Sequence, residues 1–391
     1  RPEELARMAR GPQTPQERIW WDKYSHRRLD AWRYVCDEPA DACAREIARQ
    51  KPSGLLDEVE QRAVSEGGVF KAFLDQAWEV PGWVDFEAME PGRRVLMRHG
   101  TLQGLVLLCS SLVEGYAFAK PSQVLVQTGR LQKDVSRRIY ETGQFLHNMV
   151  APLGLRPGSV GHRTVLEVRL LHAAVRHYLD MHPGRYPVEK YQRPINQEDM
   201  AGTILEFDFM VVRGLRLLGL ELSEEERVSI HYFWRYAGWL LGVKEELLTT
   251  SWQEQEVLAL QLHTHGYSPT PEGAQLARAL LRDMSNKPPF MMPEKVLHTI
   301  SRYLIGEQLA DEFGIKAWMP VEAAIHLVRA GVRVGSLGLR LLFFKRRITG
   351  WQILGLSLSY AGVVLVFAHE IQLQGQHAVL GAAIFATLGY G

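Results

Sequence analysis

Cysteine is scarce in this chain, with three residues in 391. Cys36, Cys43 and Cys109 form no Cys-x-x-Cys pair, which excludes a disulfide framework and a four-cysteine zinc site. The chain also lacks the Cys-x-x-Cys-His sequence that attaches c-type haem. A disulfide framework and covalent attachment of c-type haem are therefore excluded.

An excess of charge of either sign is also missing. The chain has 45 Lys and Arg against 44 Asp and Glu, for a net charge of +1. No basic surplus predicts nucleic-acid binding, and we expect no nucleic-acid partner. The dinucleotide-binding and phosphate-binding glycine motifs are absent, as are Gly-x-Ser-x-Gly and His-Glu-x-x-His. The chain therefore cannot be assigned to any of these common enzyme classes by its motifs.

The first 50 residues are polar and rich in charge, and they contain no signal peptide. This composition favours a cytoplasmic or membrane-associated protein. The sequence begins with Arg1 rather than Met, so secretion through an earlier leader stays open.

No segment alternates polar and apolar residues over the length of a β-strand, and no repeat of fixed period appears. Apolar residues recur at helical spacing instead. Thr14-Pro-Gln-Glu17 and Ser223-Glu-Glu-Glu226 are typical helix starts. Helices are predicted over 55–65, 70–78, 101–120, 133–151, 163–180, 200–220, 224–243, 253–265 and 272–284. The sequence therefore predicts an all-α fold around one contiguous core.

The predicted helix 163–180 carries the strongest candidate site. Val165, Val168, Leu171, His172, Val175 and Leu179 share one face, which is normally buried. Arg169 and Arg176 lie one turn from His172 on either side. A neutral imidazole on a buried face is a good ligand for a transition metal, and two arginines beside it suit carboxylates such as haem propionates. The alternative is a core histidine that is satisfied by protein hydrogen bonds.

Two further helices carry polar groups beside aromatic residues. Arg138, Glu141, Thr142 and Phe145 recur at three- and four-residue spacing within 133–151. This set either forms part of a site or belongs to a solvated face. On the helix 224–243, His231 shares a face with Trp234 and Arg235. On the helix 253–265, His263 and His265 point in different directions and are interpreted as surface histidines.

The composition changes after residue 345. Residues 351–368 contain no charged side chain, and 378–391 form a second apolar run. The first run approaches the roughly 20 residues that span a membrane, and the second is shorter. The tail 346–391 is therefore either a membrane-associated helical hairpin or a hairpin buried against the rest of the chain.

Four motifs, in order along the chain, resemble the latex-clearing-protein (rubber oxygenase) family and its relatives, which include the membrane-bound oxygenase of the mycophenolic acid pathway. They are Thr128-Gly-Arg-Leu131, Arg138-x-x-x-Thr142, Val168-Arg-Leu-Leu-His-Ala-Ala-Val-Arg176 and Pro194-Ile-Asn-Gln-Glu-Asp199. The resemblance covers about residues 78–315. The Arg-x-x-His-x-x-x-Arg helix is its most specific element.

The resemblance implies an all-α, globin-like helical core with additional N- and C-terminal helices, which binds b-type haem without covalent attachment. It implies that dioxygen is the co-substrate for cleavage of carbon–carbon double bonds in isoprenoid chains. Residues 1–345 would form a single haem-binding oxygenase-like domain. The expected substrate is an apolar small molecule or a polymeric alkene, and the sequence names no redox partner.

The resemblance also assigns site residues. His172 takes the place of the proximal iron ligand, with Arg169 and Arg176 beside it. Arg138 and Thr142 match polar residues on the opposite side of the haem, and His231 matches another family histidine near the site. Glu141 stands where the rubber-cleaving enzyme has a lysine, which places rubber itself in doubt.

Three functions stay open at this point. The first is a haem-dependent oxygenase that cleaves an isoprenoid or unsaturated lipid, with Arg138, Glu141 and Thr142 in the catalytic region. The second is a non-catalytic haem protein, such as a sensor, a carrier or an electron-transfer module, which needs the same His172. The third is a helical scaffold without haem.

Overall fold

The computed structural model describes residues 10–47, 54–127 and 135–323, together with 325, 326 and 329. Within these residues the chain forms helices and no β-strand, and one isolated bridge joins Phe118 to Tyr267. The all-α prediction is confirmed. The motif at 128–131, the domain boundary at 345 and the tail 346–391 lie outside the described residues.

Five helices precede residue 78. They are α1 (Pro15–Lys23), α2 (His26–Trp32), α3 (Glu38–Ile47), α4 (Leu55–Ser65) and α5 (Gly68–Ala77). Thr14 caps α1 as predicted, because its side chain accepts a hydrogen bond from the N–H of Glu17. The predicted bounds of α4 match those in the structure.

The next segment has α6 (Phe86–Arg98), α7 (Gly100–Val106), a π-helical turn (Leu107–Ser111), α8 (Leu112–Gly115) and α9 (Ala119–Gln127). The single helix predicted over 101–120 is therefore wrong in detail. The π-helical turn widens the helix, and such insertions are frequent at functional sites.

The remaining helices run from the centre of the chain to residue 312. They are α10 (Val135–Val150), α11 (Val160–Asp180), α12 (Val188–Tyr191), α13 (Gln197–Phe207), α14 (Phe209–Leu217), α15 (Glu224–Leu240), a 3-10 turn (Glu245–Leu247), α16 (Trp252–Gly266), α17 (Pro271–Asp283), α18 (Glu294–Ile305) and α19 (Glu307–Glu312). Ser223 and Glu226 form the predicted capping box at the start of α15.

The helix predicted over 200–220 breaks at Asp208, between α13 and α14. The Asp208 side chain is fully buried. It accepts one hydrogen bond from Gln255 and pairs with His231. A buried carboxylate needs such partners, and the break in the helix places it between them.

The helix α11 lies at the centre of the molecule and packs against α3, α4, α10 and α15. Gly161, in its first turn, allows a close crossing with the end of α10. A Cβ atom there would lie 2.5 Å from the carbonyl oxygen of Gly154 and 2.8 Å from that of Asn148. The two helices that carry the candidate residues are thus held against each other where α11 begins.

Among the described residues, no helix combines the length and apolar character that a membrane span requires.

Candidate active site

A large cavity lies between α11 and the helices that face it. Its volume is about 1060 Å³, just above the roughly 300–1,000 Å³ range of small-molecule and cofactor sites. Most of its wall is apolar, with contributions from Leu112, Val124, Phe145, Phe207, Phe209 and Met210. The cavity also brings together Arg138, Glu141, Thr142 and His172, four of the residues singled out from the sequence.

The apolar stripe of α11 forms one wall of this cavity. Val168, Leu171, His172 and Val175 all line it, and Leu171 is 40% exposed. We expected these residues to be packed in the core. The packed face is instead the neighbouring arc of the helix, which carries Leu166, Leu170 and Ala173. A cavity wall and a core face are both apolar, so helical periodicity alone does not separate them.

Arg169 and Arg176 lie on the packed side of α11, each about 2% exposed. Arg169 forms two hydrogen bonds to the carboxylate of Asp37, at 2.6 and 2.8 Å. Arg176 donates to Asp41 at 2.6 Å. Neither arginine lines the cavity. The carboxylates that they hold are therefore those of the protein, at the start of α3, rather than cofactor groups in the cavity.

His172 differs from its neighbours in having an unused ring nitrogen. Its Nδ1 is buried and has no hydrogen-bond partner. Burial, together with the nearby charge of Arg176, lowers the pKa of His172 to about 4. The imidazole is therefore neutral, and it lines the cavity. A neutral imidazole is the form that binds a transition metal.

The helix α10 supplies polar groups from another side of the cavity. The hydroxyl of Thr142 donates a 2.9 Å hydrogen bond to the carbonyl oxygen of Arg138, one turn earlier. Glu141 pairs with Arg137 at 2.8 Å, and its side chain is 59% exposed. Arg138, Glu141 and Thr142 therefore occupy one side of the site, as their spacing predicted.

His231 is not part of this wall. Its Nδ1 lies 2.9 Å from Oδ2 of Asp208, and its Nε2 lies 3.1 Å from the carbonyl oxygen of Thr249. Both nitrogens face acceptors inside the packed core. The family match near His231 therefore falls on a residue that joins α15 to the break at Asp208, away from the cavity.

A carboxyl pair in the cavity was not anticipated from the sequence. Glu114 and Glu206 both line it. Ser110 donates to Glu114 at 3.0 Å, and Arg213 lies 3.3 Å from it. Burial and the charge of Glu114 raise the pKa of Glu206 to about 8. Glutamates on helices usually face solvent, so only the long apolar run before Glu114 was a sequence signal.

The N-terminal helices close another side of the cavity. Gln13 and Trp21 are among its lining residues. His265 lies 2.6 Å from Glu198 and 3.0 Å from Asp30, which ties α16 to α13 and α2. Its side chain is 10% exposed, so the surface interpretation of this histidine was wrong.

The donor set can be tested for its fit to a metal or cofactor. No group of three or more His, Cys, Asp and Glu side chains suited to a metal ion occurs in the described part of the chain. Haem iron makes a smaller demand, because a single proximal histidine holds it in globins and peroxidases. His172, a neutral imidazole in the wall of a large apolar cavity, meets that demand.

A known protein family matches most of the chain. Residues 59–335 match the family described as ER-bound oxygenase mpaB/B'/Rubber oxygenase, catalytic domain. The chain is 24% identical over 291 residues to a rubber oxygenase of Streptomyces sp. (strain K30), which covers 72% of this chain and 71% of the relative.

The fold is similar to that of a solved structure of latex clearing protein LCP in the closed state. The TM-score is 0.60 at 23% sequence identity, and the match covers 75% of this chain and 81% of the other. The resemblance deduced from the four motifs is confirmed, and the family match extends beyond residues 78–315 at both ends.

Proposed function

The chain belongs to the ER-bound oxygenase mpaB/B'/rubber oxygenase family, and from this premise we propose that it uses b-type haem to cleave a carbon–carbon double bond in an apolar isoprenoid or unsaturated lipid. The family makes the chain an oxygenase, an oxidoreductase that takes dioxygen as co-substrate. The haem, the type of bond cleaved and the lipid class are the parts that we propose.

The observation that carries the proposal is the state of His172. Its imidazole is neutral, lines the apolar cavity and forms no hydrogen bond with the described part of the chain. A neutral imidazole in such a wall offers a lone pair that a transition metal can accept. His172 would therefore hold the haem iron. When bound, the haem supplies the site at which dioxygen is activated.

The remaining side chains bind and orient the substrate. The apolar wall, with Phe145 and Phe207, excludes water and suits a hydrocarbon chain. Arg138 supplies donor N–H groups at the cavity surface, where they favour negative charge that develops on oxygen. Thr142 donates to the helix backbone and so presents the lone pairs of its oxygen.

The reaction balances without a further reagent. One dioxygen molecule and one double bond give two carbonyl groups, with one oxygen atom in each. Rubber is the substrate named for the Streptomyces relative. Because Glu141 stands where the rubber-cleaving enzyme has a lysine, we propose that the substrate of this chain is an apolar alkene other than rubber.

Two measurements test the proposal. The purified chain, supplemented with haem, should show a Soret band. Incubation with squalene under ¹⁸O₂ should give aldehydes or ketones that carry the label. A protein that stays colourless after supplementation would contradict the haem assignment. Stable oxygen binding without any carbonyl product from squalene and other isoprenoid alkenes would favour a carrier or sensor.

A further inference from the structure

Glu206 is a cavity residue with no part in the function proposed above. It lies near the end of α13, and its carboxyl group packs against the backbone of Gly115 in α8. A Cβ atom added to Gly115 would overlap that carboxyl group. The Glu206 side chain therefore lies between α13 and α8. It lines the same cavity as His172.

The carboxyl groups of Glu114 and Glu206 have different partners. Glu114 accepts a hydrogen bond from Ser110 and pairs with Arg213. Glu206 forms no ion pair with the described part of the chain, and Glu114 is the charge that acts on it most directly. Glu114 therefore has a hydrogen-bond donor and a cation beside it, whereas ionisation of Glu206 would add a negative charge next to Glu114.

The proton therefore stays on Glu206 near neutral pH. Burial, followed by the charge of Glu114, raises the pKa of Glu206 to about 8. Tyr116 also faces this group, and burial raises its pKa to about 12, so it too keeps its proton. The charge of Arg138 acts on Tyr116 in the opposite direction. A neutral carboxylic acid is one of the strongest neutral hydrogen-bond donors that a protein can place in an apolar cavity.

We propose that Glu206 acts as a proton-holding acid that donates a hydrogen bond to the carbonyl oxygen of a ligand in the cavity. This inference deepens the proposed function, since it rests on an alkene substrate that becomes a carbonyl product. An alkene has no acceptor for this donor, and the product has one. The hydrogen bond from Glu206 therefore favours ligands that carry oxygen over pure hydrocarbons. It is absent while the substrate is still an alkene.

Binding of two matched probes tests the assignment. One probe is a methyl ketone with an undecyl chain, labelled with ¹³C at the carbonyl. The other is the alkene in which a CH₂ group replaces the ketone oxygen. The purified full chain is used without oxygen, so that no turnover contributes. We expect the ketone to bind about tenfold more tightly than the alkene at pH about 6, and its C=O stretch to shift to lower frequency.

Two variants and a second pH separate the donor from its surroundings. Glu206→Leu should abolish the ketone preference and the infrared shift. Glu206→Gln should retain both, because its amide N–H still donates. At pH about 10 the wild-type preference should disappear, since Glu206 is then ionised, while that of Glu206→Gln should persist. A preference that is the same at both pH values and survives in Glu206→Leu would overturn the proposal.

A preference that follows pH but is unchanged in both variants would also overturn it, and would point to Tyr116 or another donor. Failure in these binding tests differs from failure of the proposed function. The probes report on Glu206 without oxygenase turnover, and ¹⁸O₂ labelling reports on turnover without Glu206. Either proposal, the role of Glu206 or the oxygenase function, can therefore be contradicted while the other stands.

Stability against pH gives a readout that needs no ligand. The folded-state pKa of Glu206 lies above the ordinary carboxyl value of 4.5, so the folded state holds this proton more tightly than the unfolded state does. Its contribution to stability is complete below about pH 4.5 and declines as the pH rises through about 8. The Tm of the wild type should therefore fall across this window relative to Glu206→Gln. A constant difference between the two proteins would show that Glu206 ionises normally.

Discussion

His172, which is half-buried, and His231, which is buried, have opposite surroundings. Both nitrogens of His231 meet acceptors, Asp208 and Thr249, in the packed core. His172 has a buried Nδ1 without a partner and lies in a cavity wall. A satisfied imidazole fixes the fold, whereas an unsatisfied one keeps a lone pair or a proton available to a ligand. Burial alone therefore does not identify a metal ligand, but an imidazole without partners in the wall of an apolar cavity does point to one.

The largest expected effect is loss of haem from His172→Ala. Removing the imidazole removes the proposed iron ligand, so the Soret band of the reconstituted protein should disappear. His177→Ala is the matched control on the same helix, and it should keep the band because His177 does not line the cavity. An unchanged spectrum in His172→Ala would end the assignment of this residue as the ligand.

The next effect concerns the two buried ion pairs of α11, Arg169 with Asp37 and Arg176 with Asp41, which we call the clamp. Arg169→Leu leaves the buried carboxylate of Asp37 unpaired, which should lower the free energy of unfolding by about 3–5 kcal/mol. Urea denaturation measures this. Arg163→Leu is the control on the same helix, since its ion pairs with Asp57 and Glu60 are partly exposed and should contribute less than about 1 kcal/mol.

The clamp also affects haem retention, because α11 carries the proposed ligand. We expect Arg169→Leu and Arg176→Leu to release haem faster to apomyoglobin than Arg163→Leu does. The double variant Arg169→Leu with Asp37→Leu should recover part of the lost stability, since no unpaired charge remains. Full stability in the single variants would show that the two buried pairs contribute nothing to the fold.

A smaller effect should follow from changing the satisfied histidine. His231→Leu removes a partner of Asp208 and should destabilise the fold by about 2 kcal/mol. The Soret absorbance per folded molecule should stay the same. His182→Leu, at an exposed histidine, is the control for both readouts. Loss of haem from folded His231→Leu would break the distinction between the two histidines and would return His231 to the site.

The sequence predicted the all-helical fold because capping residues and helical periodicity are local signals. The start of α1, the bounds of α4 and the capping box of α15 follow from such signals. The breaks at Leu107–Ser111 and Asp208 do not, because tertiary partners determine them. The buried carboxylate of Asp208, for example, is held by groups from α15 and α16.

The site was predictable to the extent that its residues share a helix. Glu141 and Thr142 follow Arg138 by about one helical turn, and the structure places all three on the cavity. Glu206 comes from a helix far along the chain, and its unusual pKa depends on Glu114, 92 residues earlier. The partners of Arg169 and Arg176 are equally remote in sequence. Pairings of this kind depend on the fold, so residue spacing does not reveal them.

The smallest expected effect concerns Glu141, which lines the cavity from α10. Arg137 holds its carboxylate at 2.8 Å, one turn back, and the side chain is 59% exposed. A carboxylate is also a hard oxygen donor that suits ferrous haem iron poorly. We therefore expect Glu141 to leave the sixth iron position open, with ferric haem that is high-spin.

Electron paramagnetic resonance of the ferric protein distinguishes the alternatives. Glu141→Ala should leave the high-spin signal as it is, because no iron ligand is lost. Glu141→Lys places an amine at the same position, as in the rubber-cleaving enzyme, and should add a low-spin signal as the pH rises and the amine loses its proton.

A low-spin signal in the wild type that disappears in Glu141→Ala would mean that the carboxylate binds the iron despite its pairing with Arg137. If that low-spin signal instead persists in Glu141→Ala, another side chain is the sixth ligand. His147, on the same helix, is then the first to replace, and His231 remains the less expected candidate because both of its nitrogens already face acceptors.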